Sequence, residues 1–334
     1  LGFAAVLTRQ RRAAQIADQS RDERGFAPTC PAQTEISRHQ SAARQALRRI
    51  NHMQQCLHSH PAPLCSHAMT PILTDRHALD LHRARASVLL WHQEALAEVQ
   101  DRLSEVNRTF TAPVVVTPFP AVWQNYCAIP DAEALSLSDG AHDLVVHAMS
   151  LHWANDLVGQ LVQCRRALQP DGLFLGVLFG GQTLNELRSV LAQAESEITG
   201  GLSPRVLPMA EIRDLGGLLQ RADFALPVAD SYAKTVLYRD AFHLMQDLRA
   251  MGEGNALAKR LRRPTARAIF DRAARLYFET HATAEGLIPA TFEIITLTGW
   301  APHESQQKPL RPGSAVNRLA EILNVAERPL PHED

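Results

Sequence analysis

The chain has 334 residues, 46% hydrophobic and 21% charged, with a formal net charge of −1. That is enough for one large domain or two modest ones, and it excludes wholesale disorder. The near-neutral charge gives no argument for nucleic acid or an anionic membrane as partner, and no apolar run approaches the roughly 20 residues that span a bilayer. Five irregularly spaced cysteines (Cys30, Cys56, Cys65, Cys127 and Cys164) point to free thiols in a reducing compartment, with the cytoplasm as the expected location.

Residues 1–68 stand apart. They are rich in Arg (Arg9, Arg11, Arg12, Arg21, Arg24, Arg38, Arg44, Arg48, Arg49), contain no Lys and hold few acids. An organelle leader, a basic interaction arm and a poorly ordered extension are the three readings; the acids Asp18, Asp22, Glu23 and Glu35 weigh against the first, and the third is preferred. Cys56, His58, His60, Cys65 and His67 carry zinc-ligand chemistry, but their spacing fits none of the usual zinc patterns. A polar, His-rich linker is the expectation there.

From residue 78 to 110 the pattern is helical: Leu89, Leu90, Leu96, Val99, Leu103 and Val106 recur at three- and four-residue steps. Arg76, His82, Arg83 and Arg85 form a basic start. Val114, Val115 and Val116 make a short β-branched strand. The prolines at 118, 120 and 130 then argue against any long regular element.

After Asp131 the pattern becomes α/β. A buried strand is expected over 143–149. Asp156 is placed to cap a helix reaching Leu168. Gln169, Pro170, Asp171 and Gly172 read as a turn, and 173–179 as a second buried strand. Strand, helix and strand make a crossover unit. Helices are expected over 183–198 and 209–222, strands over 226–230 and 234–238, two helices within 241–281, and a last strand over 291–300.

These words in this order resemble a known family. The run DAEALSL from Asp131, then Asp139-Gly140 and His142-Asp143 before Leu144, resemble the acidic-to-fourth-strand block of class I S-adenosylmethionine-dependent methyltransferases. The LQPDGLF segment from Leu168 resembles their turn before the fifth strand. The segments SLHWAND from Ser150, FGGQTLNELR from Phe179, DLGGLLQRA from Asp214, MGEGN from Met251, IPATFEI from Ile288 and GWAPHESQ from Gly299 narrow the likeness. They suit the branch holding the biotin-pathway carrier-protein methyltransferases and the mitochondrial complex I assembly factor described as an arginine hydroxylase, and above all that factor's bacterial relatives.

The resemblance implies a Rossmann-like methyltransferase sheet over 69–314, with a helical insertion at 240–282 and a tail at 315–334. It implies S-adenosylmethionine as cofactor, a protein or carrier-linked acceptor as partner, and methyl transfer as the activity. A respiratory-subunit arginine hydroxylase or a catalytically silent assembly protein are the alternatives. It also implies Asp131 as acceptor for the adenine amino group, the Ala132 amide as a ring-nitrogen contact, and Ser150, His152 and Trp153 at the carboxyl edge of the fourth strand. His152 is then a candidate to orient a substrate or move a proton; the competing reading has Trp153 packing beneath the sheet and His152 capping a polar pocket. Gly180 and Gly181 admit a ligand or merely make a tight turn. His303, Glu304 and Gln306 line the cleft or form a polar loop. Arg260, Arg262, Arg263 and Arg267 form a solvated face or dock an acidic protein. No iron-binding triad and no metal site are expected.

One departure stands out. The family carries a glycine-rich turn after its first strand, where small residues let the backbone approach the cofactor. Here no glycine occurs between Val114 and Gly140. Only residues 118–130 separate Thr117 from Asp131, whereas a βαβ unit needs roughly 30. A sheet truncated in its N-terminal half is therefore expected, without the carboxylate that ends the second strand.

Overall fold

A computed structural model describes residues 72–307. The Arg-rich segment 1–68, its Cys/His cluster and the tail 315–334 lie outside the described residues.

The lead-in is two helices rather than one. Helix α1 (Arg76–Arg83) starts at Asp75, whose carboxylate accepts from the Ala78 amide at 3.2 Å. Helix α2 (Leu90–Glu105) follows. Between them the amides of Ser87 and Val88 both donate to the Ala250 carbonyl, at 2.8 and 3.0 Å. A distant carbonyl thus captures amides that a continuous helix would have used, at two residues of modest helix propensity.

Strand β1 (Pro113–Val116) begins with a proline at its first residue, where no ladder donor is missed. A short 3₁₀ turn (Pro120–Val122) leads to β2 (Cys127–Ile129). Strand β3 (His142–Ala148), helix α3 (Leu157–Ala167) and strand β4 (Leu168–Phe179) form the expected crossover unit, and β3 and β4 are parallel. Asp156 caps α3 by accepting from the Gly159 amide at 2.8 Å. The expected turn at 169–172 is a bulge inside β4: His142 pairs with Leu168 and Leu144 with Leu173, leaving four residues looped out with Asp171 at φ 62°.

Helices α4 (Asn185–Thr199) and α5 (Ile212–Arg221) come next. The two short strands expected around Ser231 are one long strand, β5 (Ala225–Tyr238), because every residue from Val228 onward pairs with β6 (Ile288–Trp300). The insertion holds α6 (Ala241–Ala250) and α7 (Arg267–His281).

The sheet order is β2-β1-β3-β4-β6-β5; β6 runs antiparallel to both neighbours and the other pairs are parallel. One face is sealed by α3 and α5, whose Leu161, Cys164, Leu215 and Leu219 pack on Val145, Phe174, Leu178 and Ile295. Helix α2 lies on the other face against β3; ion pairs of Glu94 with Lys234 and of Arg102 with Asp230 tie it to β5. Cys127 and Cys164 are free thiols, and no helix among the described residues is long and apolar enough to cross a membrane.

The expected truncation is visible. In the six-stranded dinucleotide-binding order two strands lie beyond the one that neighbours the fourth; here only β2 lies beyond β1. The β1–β2 link is residues 117–126, ten in all, short of the dozen or more that a parallel crossover ordinarily uses. It carries the 3₁₀ turn where a crossover helix would stand.

Candidate functional site

Open α/β sheets bind ligands outside the carboxyl ends of their parallel strands. Two different environments meet there in this molecule.

The first surrounds Asp131, just after β2. Asp131 is buried, and its carboxylate accepts from the Arg83 guanidinium at 2.8 and 3.0 Å and from Arg76 at 3.2 Å. Arg76 also reaches the Asp131 carbonyl. Both arginines come from α1, and the Arg83 side chain is only 6% exposed. A buried guanidinium demands a carboxylate partner, and Asp131 supplies it.

Beside this pair the Ser150 hydroxyl lies 3.2 Å from His147 Nδ1, and His147 Nε2 lies 3.3 Å from Gln160 Oε1. The Gln160 amide donates to the carbonyls of Ala132 and Glu133. Burial holds the His147 imidazole down at about 4, so it is neutral at physiological pH. Asn155 closes the rim: its Oδ1 accepts from the amides of Leu73 and Thr74 at 2.8 Å each, and its amide donates to Glu133.

Asp131, Ala132 and Ser150 do come together, as the resemblance implies. The space they enclose with Arg76 and His147 is about 10 Å³, room for about one water. The open adenine contact expected at Asp131 is instead a closed ion pair. With no glycine-rich turn after β1, and with the carboxylate that follows β2 taken by two arginines, these residues do not fit S-adenosylmethionine.

The second environment is open. A cavity of about 710 Å³ lies beyond the end of β4, enclosed by α4, the 205–209 loop, α6 and the 250–255 turn. Trp153 and Phe179 form part of its wall. Glu253 lines it, accepts from Trp153 Nε1 at 2.8 Å and lies 3.6 Å from His152 Nε2. Burial works against the Glu253 charge, but His152, Arg83 and the Trp153 N–H outweigh it and hold the carboxyl below its usual range. Gly252, at φ +80°, makes this placement possible: a Cβ there would come within 3.2 Å of Ala86 Cβ and the Arg83 backbone. His152 itself is buried against Phe179, with ring centroids 5.1 Å apart, and neither ring nitrogen has a hydrogen-bond partner. It sits between the two environments.

The other candidates resolve by position. Gly180 and Gly181 form a tight turn: a Cβ would meet the Glu293 carboxylate at 2.6 Å and Glu211 at 2.5 Å, so protein side chains fill the space a ligand would need. His303, Glu304 and Gln306 follow β6, which runs antiparallel, so Trp300 pairs with Leu173 at the start of β4. They lie at the far end of the sheet from the cavity, and Gln306 bonds the Asp171 bulge at 2.9 Å. Arg260 and Arg262 pair with Asp75 at 2.8 and 3.0 Å, locking the insertion onto the cap of α1. Among the described residues no cluster of three or more His, Cys, Asp or Glu could hold a metal ion.

Sequence reasoning missed Arg83, His147, Gln160 and Glu253. A histidine inside an apolar strand reads as core, and Arg83 reads as one more charge on a basic helix. The i, i+7 spacing of Arg76 and Arg83 was the available signal, since it puts both on one helix face.

The sequence profile of the methyltransferase domain family matches residues 116–176. The arginine-hydroxylase NDUFAF5, mitochondrial, of Dictyostelium discoideum is 46% identical over 191 residues, 57% of this chain and 44% of that protein. Its Homo sapiens counterpart is 43% identical over 200 residues, 59% of this chain and 57% of that protein. The malonyl-[acyl-carrier protein] O-methyltransferase of Xylella fastidiosa (strain M23) is 36% identical over 182 residues, 54% of this chain and 59% of that protein. The chain thus spans about half the length of these curated relatives. The sheet has the Rossmann-like class I methyltransferase form, and the matched segment and these relatives make the chain similar to class I S-adenosylmethionine-dependent methyltransferase-like proteins.

Proposed function

We propose that this chain is a binding and assembly protein built on the methyltransferase fold, holding a partner's side chain or acyl group in the cavity beyond β4 without using S-adenosylmethionine. The closure of Asp131 by Arg83 and Arg76, beside an open cavity, is the observation that carries this reading. The relatives' names point to protein-borne acceptors: a carrier protein in one case and an arginine in the other. Calorimetric titration with S-adenosylmethionine tests it. No saturable heat is expected at millimolar cofactor; a stoichiometric isotherm overturns the reading.

The apposition of His152 and Glu253 favours a second reading, in which the family's chemistry survives. A buried imidazole against a carboxylate can move a proton at the cavity wall. Mass spectrometry of a respiratory-subunit or acyl-carrier substrate, with and without this chain, separates the outcomes. An added methylene marks methyl transfer, an added oxygen marks hydroxylation, and an unchanged mass leaves binding alone.

A further inference from the structure

The cavity beyond β4 has an apolar barrel and a cationic mouth. The barrel is walled by Leu187 and Leu191 of α4, Leu207, Met245 within α6 and Met251 just after it, with Phe270 from α7. Its 710 Å³ is within the range that drug-sized ligands occupy. Unbranched apolar chains suit such walls, because Leu and Met side chains adapt to them and offer no hydrogen bonds.

The mouth carries Arg85 and Arg249, both exposed and both lining the cavity. The bonds from the Ser87 and Val88 amides to the Ala250 carbonyl hold the Arg85 segment against the end of α6, where Arg249 lies. Neither guanidinium forms an ion pair among the described residues. The other charges of the lining are already matched. Arg205 is held by Glu195 at 2.7 and 2.9 Å, and Glu253 takes the Trp153 N–H and faces His152. The lining therefore has an excess of positive charge at its entrance.

Together these observations specify an amphipathic ligand: a linear hydrocarbon chain ending in an anion. We infer that the cavity binds a straight-chain carboxylate of fatty-acid type, its chain between α4 and α6 and its carboxylate at Arg85 and Arg249. Guanidinium is the side chain best shaped to hold a carboxylate. This inference rests on the proposal that the cavity is a binding site.

The test is calorimetry on the full chain with dodecanoate, dodecanol and dodecyltrimethylammonium, each below its micellar concentration. Dodecanoate binds saturably, one per chain. The alcohol and the ammonium bind about tenfold more weakly or worse, and the preference shrinks with added salt. The double variant Arg85→Gln/Arg249→Gln erases the preference for the carboxylate while retaining binding of dodecanol. Leu187→Trp, which fills the barrel, abolishes binding of all three; should that variant melt early, Met245→Trp fills it from the other wall. Equal affinity for dodecanoate and dodecanol overturns the inference, as does undiminished binding after either tryptophan substitution in a folded variant. A parallel titration with S-adenosylmethionine keeps the two readings distinguishable. Cofactor binding sinks the proposed function and leaves a dodecanoate isotherm standing, whereas failure of dodecanoate alone sinks only the ligand assignment.

Discussion

The two halves of the sheet solve the same problem differently. On one side β4, β6 and β5 run for 12 to 14 residues, with β4 paired to β6 from Leu173 to Phe179 and β5 to β6 from Val228 to Tyr238. On the other side β1 and β2 are four and three residues long, joined by a link too short for a helix. The long half holds its own form and ends in an open cavity. The short half borrows from elsewhere: α1 supplies Arg76 and Arg83 to Asp131, and Asp143 takes the amides of Thr111 and Ala112 to fix the start of β1. Where a crossover unit is missing, side-chain bonds replace backbone ones, and the space for a nucleoside closes. The proposed binding cavity lies on the long half, so shortening the other need not disturb it.

The largest expected effect of a single substitution is on the borrowed contact. Asp131→Asn leaves the Arg83 charge buried without its counter-ion, and urea unfolding should show a loss of about 3 kcal/mol. A loss near zero would mean that α1 does not hold the short half together. The double variant Asp131→Asn/Arg83→Met, with no buried charge left, should recover most of that loss.

Acid comes next. His147 and His92 are both held near 4 by burial, His92 more strongly than its neighbour Glu253 can offset. A group whose folded value lies below its unfolded one takes up protons on unfolding. Stability is therefore full above about 6.5 and falls as the pH drops from there toward 4, by on the order of 3 kcal/mol per histidine. Stability curves at pH 7 and pH 5 for the parent and for His147→Gln check this; an unchanged pH slope in the variant would place the titration elsewhere.

The smallest effect probes the long half. Gly299 in β6 faces Phe224, and a Cβ there would come within 2.9 Å of that ring. Gly299→Ala should cost about 1–3 kcal/mol by overpacking. Its effect should add to that of Asp131→Asn in the double variant, if the two halves are as independent as their construction suggests. Coupling above about 0.5 kcal/mol would break the comparison.

The sequence alone determined the architecture of the long half and the shortness of the other. Continuous apolar runs marked β3 and β4, and a β-rich segment marked β6; Asp156 marked the start of α3; and counting residues between Thr117 and Asp131 sufficed to show that a crossover unit could not fit. These are local or arithmetic properties, and a chain cannot hide them. The position of Ser150, His152 and Trp153 was legible for the same reason, since they follow a recognisable strand. What Asp131 touches was not legible: its partners lie 48 and 55 positions away on a helix whose charges read only as a basic start. The break at Ser87, the merging of β5 and the placing of Gln306 at the far end of the sheet were equally hidden, because each depends on which carbonyl or strand lies alongside in space. Only the tertiary structure decided that the same carboxylate the sequence offers to a cofactor is claimed by two arginines. A buried charge takes the nearest counter-ion, and proximity across 48 residues is set by packing.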